Sequence, residues 1–337
     1  MRKKLLGIIT ICLIMFLLLS VTNTAYATTS ENITETNTYD YYIEINPQTQ
    51  EITKIPKDEV TATAEAAKER NKGILVNKYQ TKGYKVNLPT TSTTVEMLSP
   101  RSVIGGDGRI QAQTDLAICE IVSTFPNGEF SRGTGFTIYK DMLLTAGHCI
   151  YRHDKGGLAT KITITPGATG SNIFANVGNY NAPIGTFDFS TIKGIIVDPG
   201  YLNNQDAAED YALVTFHQNL GAGWFGIATR DSGWSEMVNQ IMTVQGYDNN
   251  TNKVPWVQWK STGLLTNINN RNFSHLADTG GGTSGAPVCH QSRLGIGIHV
   301  AGTSNTIFNG SNLATLINRQ RFNLFYKYIT ESPLYTG

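Results

Sequence analysis

Asp278-Thr279-Gly280-Gly281-Gly282-Thr283-Ser284-Gly285-Ala286-Pro287 packs four glycines and one serine into ten residues. Glycine loses the most backbone freedom on folding, so such a run needs a reason, and close approach of the backbone to a ligand is one. If Ser284 is a nucleophile, the glycine before it lets the backbone N–H groups of Gly282 and Ser284 point at one spot, where they can bind an oxyanion. Alone, the stretch reads as a flexible surface loop. Two other stretches change that reading. Leu143-Leu144-Thr145-Ala146-Gly147-His148-Cys149 sets a histidine straight after a short apolar run. Glu209-Asp210-Tyr211-Ala212-Leu213-Val214 sets an acid straight before another. His, Asp, Ser is one of the known chain orders for a serine-nucleophile triad.

A serine hydroxyl is a weak nucleophile at neutral pH; it needs a base in hydrogen-bond reach, and the base needs an orienter. His148 is the candidate base, since imidazole titrates near the operating pH. Asp210 is the candidate orienter, with Asp198, Asp206 and Glu209 as alternatives; Asp210 directly precedes an apolar strand, where its carboxylate can be buried and fixed. Ser284 would then carry the acyl group. A rival is a zinc site drawn from His148, Cys149, His153, Cys289 and His290. These residue types do ligate zinc, but they form no compact ligand motif, and zinc gives no account of Gly281-Gly282-Thr283-Ser284. No metal or other cofactor is expected.

The chain has 337 residues and a net charge of +1, with 16% charged residues, so nothing favours a nucleic-acid partner. Met1-Arg2-Lys3-Lys4, the apolar run Leu5 to Val21 and Ala25-Tyr26-Ala27 read as a secretory signal peptide over 1–27. That implies a secreted, extracellular protein with no membrane contact after the signal is removed. Residues 28–101 differ in texture, being rich in Thr, Glu, Lys and Asn without Cys or Trp. A hairpin is expected from Asp40–Ile45 and Gln50–Ile55, then a helix from Asp58 to Lys72 stopped by Gly73, then a Thr/Ser linker at Thr90–Thr94. This segment has the look of a propeptide; the other reading is an N-terminal domain that stays attached. From Ser102 onward the chain reads as short strands separated by Gly, Pro and Asn turns, which indicates an all-β sandwich or barrel. One helix closes it, capped by Asn318 and carrying Phe322, Phe325, Tyr326 and Ile329 on one face. Cys119, Cys149 and Cys289 remain after signal removal, an odd number, so at least one is free or pairs between chains.

Thr-Ala-Gly-His-Cys at 145–149, Asp-Tyr-Ala-Leu-Val at 210–214 and Gly-Gly-Thr-Ser-Gly-Ala-Pro at 281–287 resemble the chymotrypsin-fold serine peptidases, and more narrowly the secreted bacterial glutamyl endopeptidases. Ser102-Val103-Ile104-Gly105 and Val244-Gln245-Gly246-Tyr247 extend the likeness across 102–337. The resemblance implies two antiparallel six-stranded β-barrels with the active site between them and a C-terminal helix. It also implies a zymogen with a propeptide over 28–101, cut between Arg101 and Ser102 by a trypsin-like activating peptidase. The partners it implies are protein or peptide substrates, with the enzyme a monomer. The residue before the nucleophile is Thr283, where trypsins carry an Asp that pairs with the new N-terminus. In the glutamyl endopeptidases that amine instead sits by the S1 pocket, with a histidine fifteen residues after the nucleophile and a threonine five before it. His299 and Thr279 stand at those places, so Ser102, Thr279 and cationic His299 become the expected partners of a substrate Glu (or Asp) carboxylate. Relatives often pair a cysteine after the catalytic histidine with one at the position of Gly133. Here Cys149 would need Cys119 or Cys289, or stay reduced. Two rival functions are a same-fold peptidase with broad P1 preference and a catalytically silent binding module.

Overall fold

The structure is a computed structural model that describes residues 39–71, 106–169, 181–230, 234–248, 257–302 and 310–336. The signal peptide, Gly73, the Thr90–Thr94 tract and the Arg101–Ser102 junction lie outside the described residues. The described chain begins with β1 (Tyr41–Ile45), β2 (Ile52–Pro56) and helix α1 (Lys57–Asn71). Next come β3 (Ile110–Gln111), β4 (Ile118–Thr124), β5 (Phe130–Tyr139), β6 (Met142–Thr145), β7 (Tyr151–Arg152), β8 (Gly157–Leu158), β9 (Lys161–Pro166), β10 (Phe187–Asp188) and β11 (Ile192–Val197). Helix α2 (Pro199–Asn204) leads to β12 (Ala212–Phe216) and β13 (Gly226–Ile227). The rest is β14 (Ile241–Tyr247), β15 (Gln258–Ile268), β16 (Asn272–His275), β17 (Pro287–Gln291), β18 (Leu294–Ala301), β19 (Asn312–Leu316) and helix α3 (Arg319–Glu331).

The second half of the chain is a closed barrel. Its strands pair in the order β18-β17-β14-β15-β16-β19, and β19 pairs back onto β18. Closure removes both sheet edges. The first half is a nine-stranded sheet in the order β10-β9-β4-β5-β6-β12-β11-β1-β2. It curls so that Ile164 and Phe187 from one side share a core with Ile192 and Ile195 from the other. The all-β, chymotrypsin-like reading therefore holds. The first sheet differs from a six-stranded barrel because the N-terminal hairpin adds to its edge: β1 runs antiparallel to β11, with Ile43 opposite Val197. The α1 helix starts with Asp58 and Glu59 in its first turn, where carboxylates favour the helix dipole. On α3 the Asn318 side chain accepts the Arg321 N–H at 3.0 Å, as an N-cap does. Phe325, Tyr326 and Ile329 are buried beneath that helix, as the apolar spacing predicts.

Local chemistry sets several strand boundaries. β10 and β11 are separate because Asp188 caps a tight turn over Phe189–Thr191 by accepting the Ser190 N–H. β15 runs unbroken over eleven residues. Gly263 at its centre lets the Leu276–Ala277 backbone come within 2.0 Å of where a Cβ would stand. β16 and β19 carry buried polar residues along their length.

Candidate active site

His148 lies in the short turn Gly147–Cys149 that follows β6. Asp210 precedes β12, which pairs with β6, so Ala212 faces Thr145. That register brings the acid onto the histidine. Asp210 Oδ1 accepts the His148 backbone N–H at 2.9 Å, and its Oδ2 lies 2.7 Å from His148 Nδ1. One carboxylate thus fixes both the backbone and the ring. Gly147 makes room for this: a Cβ there would stand 3.0 Å from Asp210 Oδ1 and 2.9 Å from the Tyr201 ring. The alternative acids are engaged elsewhere. Asp198 caps α2 and pairs with Lys57, while Asp206 and Glu209 both pair with Arg271. Glu209 also holds the Arg321 guanidinium at 2.7 Å.

Ser284 is brought to the same corner by its neighbours. Its carbonyl accepts the Thr134 N–H at 2.7 Å at the start of the buried part of β5. Gly285 follows with φ +89°, and a Cβ on it would meet Thr134 O at 1.9 Å, Thr145 Oγ1 at 2.3 Å and Ala146 N at 2.9 Å. Only glycine can press this close against the residues leading to His148. The loop before Ser284 is held by local bonds. Thr283 N–H donates to Gly280 O at 3.1 Å, closing a β-turn with Gly282 in its third position at φ +99°. A positive φ there is the mark of a type II turn. Thr283 Oγ1 accepts the Gly280 N–H at 3.2 Å, and Thr134 Oγ1 donates to Gly282 O at 2.8 Å. Thr283 therefore ties its own loop, at the place where an ion pair would otherwise be needed.

His299 and Thr279 flank this loop and both are buried. The β18 strand carries His299 beside the serine, since Gly285 N–H donates to His299 O and His299 N–H to Ala286 O. Burial, with His275 and His148 adding to it, pushes the His299 pKa well below its ordinary value, which favours a neutral ring before a carboxylate arrives. His275 was not singled out from the sequence, where it is a lone histidine in a short polar run. It lies fully buried on β16 with Nε2 3.3 Å from His299 Nδ1. Burial pushes its pKa down to about 3. A second unforeseen contact comes from the chain start of this domain. Gly108 N–H donates to Asp278 Oδ2 at 2.7 Å, next to Thr279, and Arg109 pairs with Asp248 behind Gly280. Ser102 itself lies outside the described residues.

Cys119, Cys149 and Cys289 are free thiols, all buried, so Cys149 stays reduced. Its Sγ occupies the space beside Gly133, 2.3 Å from where a Cβ would stand, and contacts Ser284 O at 3.5 Å. His153 Nε2 contacts Tyr201 O at 3.3 Å rather than joining a ligand set. Among the described residues no group of three or more His, Cys, Asp or Glu is placed to hold a metal ion.

Comparison with known proteins agrees with the fold and its class. The family profile of a trypsin-like peptidase domain matches residues 133–298. The chain is 28% identical over 241 residues to a protein of Bacillus subtilis named extracellular metalloprotease, covering 68% of this chain and 70% of that one. It is 25% identical over 237 residues to the glutamyl endopeptidase of Bacillus licheniformis, covering 66% and 68%. A solved Glu endopeptidase structure superposes with a TM-score of 0.54 at 23% identity, covering 66% of this chain and 97% of that one. The chain is a serine endopeptidase of the chymotrypsin fold. Within that class it is glutamyl endopeptidase-like.

Proposed function

We propose that the chain is a secreted endopeptidase, made as a zymogen, that hydrolyses peptide bonds after Glu through a Ser284–His148–Asp210 triad. The observation that carries this reading is the two-point grip of Asp210 on His148 at the corner against which Gly285 is pressed. With Asp210 accepting the Nδ1 proton, His148 Nε2 presents a lone pair. That nitrogen takes the Ser284 hydroxyl proton as Oγ attacks the scissile carbonyl, and returns it to the leaving amine. The N–H groups of Gly282 and Ser284 receive the developing oxyanion, and the type II turn sets the Gly282 N–H in advance. Water then attacks the acyl-enzyme with His148 again as base.

A glutamate side chain at P1 would meet Thr279 and His299. A neutral His299 can donate from only one ring nitrogen. If the carboxylate takes Nε2–H, then positive charge arises in the pocket only when the ligand arrives, with a second proton on Nδ1 facing His275 Nε2. The Ser102 amine is the other source of charge. Gly108, six residues on, is anchored beside Thr279, which supports an approach of Ser102 to the pocket. A cut after Arg101 would create that amine, and export by the signal over 1–27 would precede it. The relatives include one named extracellular, and among the described residues no helix is long and apolar enough to cross a membrane.

The test is the full chain cut between Arg101 and Ser102, assayed against peptides that differ only at P1 as Glu, Asp, Gln, Lys or Leu, with Ser284→Ala as control. Preference for Glu over Gln, absent in the control, is the expected result. Activity without acidic preference would discard the Ser102, Thr279 and His299 pocket while keeping the triad. No turnover from folded protein would discard both.

A further inference from the structure

Residues 39–71 belong to the segment read above as a propeptide, yet they are built into the fold. β1 forms three register pairs with β11, ending in Ile45 opposite Ile195. Tyr42, Ile55 and Val60 are buried in the same core as Tyr211, Leu213, Phe325 and Ile329. Ile43 and Ile45 enter the core inside the first sheet. On α1, Ala64 and Ala67 are fully covered and pack with Tyr326 of α3. The charges at the seam are matched: Lys57 Nζ lies 3.0 Å from Asp198, whose side chain is only 5% exposed. Tyr328 Oη donates to Glu44 at 3.1 Å and Lys68 Nζ to Asn323 at 2.9 Å.

We infer that the hairpin and helix of residues 39–71 stay bound after the chain is cut before Ser102, as a non-covalent subunit that positions the Asp210 loop. The inference rests on the proposed cut, but not on the P1 preference. Removing the segment would strip β11 of its neighbour and leave a row of unpaired backbone groups at a sheet edge. It would also leave Asp198 buried without its cation, which is strongly destabilising in general. The apolar faces of Tyr211, Phe325 and Tyr326 would meet water. A β-strand added to a sheet edge, with alternate side chains in pockets, is a known way for one chain to hold another.

Two connections run from the segment to Asp210. In the first, Lys57 holds Asp198, Asp198 Oδ1 caps α2 at Gly200, and Tyr201 of α2 packs against Gly147 beside Asp210. In the second, Tyr42 Oη donates to Gln320 O at 3.4 Å, next to Arg321, which donates to Ala208 O and Glu209. Among the described residues, the hydrogen bonds cited from residues 39–71 to the rest of the chain run to residues 189–198 and 320–328, and none of these partners is His148 or in the serine loop.

The experiment uses the full chain carrying Ser284→Ala, with a recognition site for an unrelated sequence-specific protease placed in the Thr90–Thr94 tract and cut after folding. Size exclusion and native mass spectrometry at physiological salt are expected to show the two fragments together at 1:1. An N-terminal fragment eluting alone, from a remainder that keeps its folded circular dichroism, would overturn the inference. No peptidase activity is needed for this readout, so it stands apart from the P1 panel. The positioning role is read in the active chain, cut in the same way, with Tyr42→Ala and Lys57→Ala combined to release the segment. Release should lower kcat at least tenfold with little change in KM, and added wild-type segment should restore it. Unchanged kcat after complete release would overturn the positioning role.

Discussion

Asp210→Asn isolates the bond on which the proposed chemistry depends. Asp210 Oδ1 accepts from the His148 backbone N–H, a group that can only donate, so the amide oxygen of an asparagine must take that place. Its NH2 then faces His148 Nδ1 at the site now held by Oδ2, 2.7 Å away. Nδ1 must become the acceptor, and the ring proton moves to Nε2. The nitrogen that should take the Ser284 proton is then already protonated. The substitution is isosteric and keeps both contacts, one with its direction reversed, so the fold should survive. The equivalent change in a Ser-His-Asp triad lowers kcat by about 10⁴-fold, or roughly 5 kcal/mol of transition-state stabilisation at about 1.4 kcal/mol per tenfold. The assay is kcat on a Glu-containing peptide for the full chain cut between Arg101 and Ser102, with Tm and imidazole nitrogen NMR on the same sample. The expected outcome is a loss of about four decades, an unchanged Tm within a degree or two, and a ring proton moved from Nδ1 to Nε2. A loss under tenfold in folded protein, or a proton that stays on Nδ1, would refute the reasoning.

Other perturbations follow from neighbouring contacts. Both buried histidines have depressed pKa values, so the unfolded chain takes up protons first as pH falls below about 6.5. Stability should therefore fall by roughly 1.4 kcal/mol per pH unit for each histidine, down to about pH 3 for His275. Urea unfolding of the Ser284→Ala protein from pH 7 to 5 measures this, and a flat profile would contradict it. His275→Asn should raise KM for Glu substrates more than for Gln substrates; equal changes on both would make His275 purely structural. Thr283→Val removes the acceptor of the Gly280 N–H, a bond worth about 1 kcal/mol, and should lower kcat roughly fivefold with KM held. Gly133→Cys should form a disulfide with Cys149 under mild oxidant, visible as a loss of two mass units. A loop near fifteen residues gives about 3 kcal/mol in the chain-entropy account, so Tm should rise.

The sequence carried the candidate catalytic corner because its chemistry forces short, recognisable runs. Gly285 must be glycine for reasons of contact and φ, and Asp210 directly precedes the strand that pairs with β6. The hairpin and α1 were legible from local alternation and Ala content. Their partner was not, because Ile195 lies far along the chain from Ile45 and alternation does not name a neighbour. β16 and β19 are hard to read from sequence because their buried residues include polar ones held by tertiary bonds, such as Asn312 Nδ2 to Ala277 O at 2.7 Å. His275 escaped for the same reason: its significance is a distance to His299 that only barrel closure creates. The depressed pKa of His299 was not legible either, because burial is a property of the packed barrel rather than of spacing.

The three sealed thiols make the molecule its own clock. Cys119 lies in the core inside the first sheet, and Cys289 on β17 of the closed barrel. Burial pushes both thiols above their ordinary pKa, with Cys289 at about 12, so neither reacts as a thiolate while packed. An alkylating reagent can reach them only through opening of the structure around each one. The two labelling rates then time the two halves separately, and their ratio tells whether the halves unfold as one unit or in sequence.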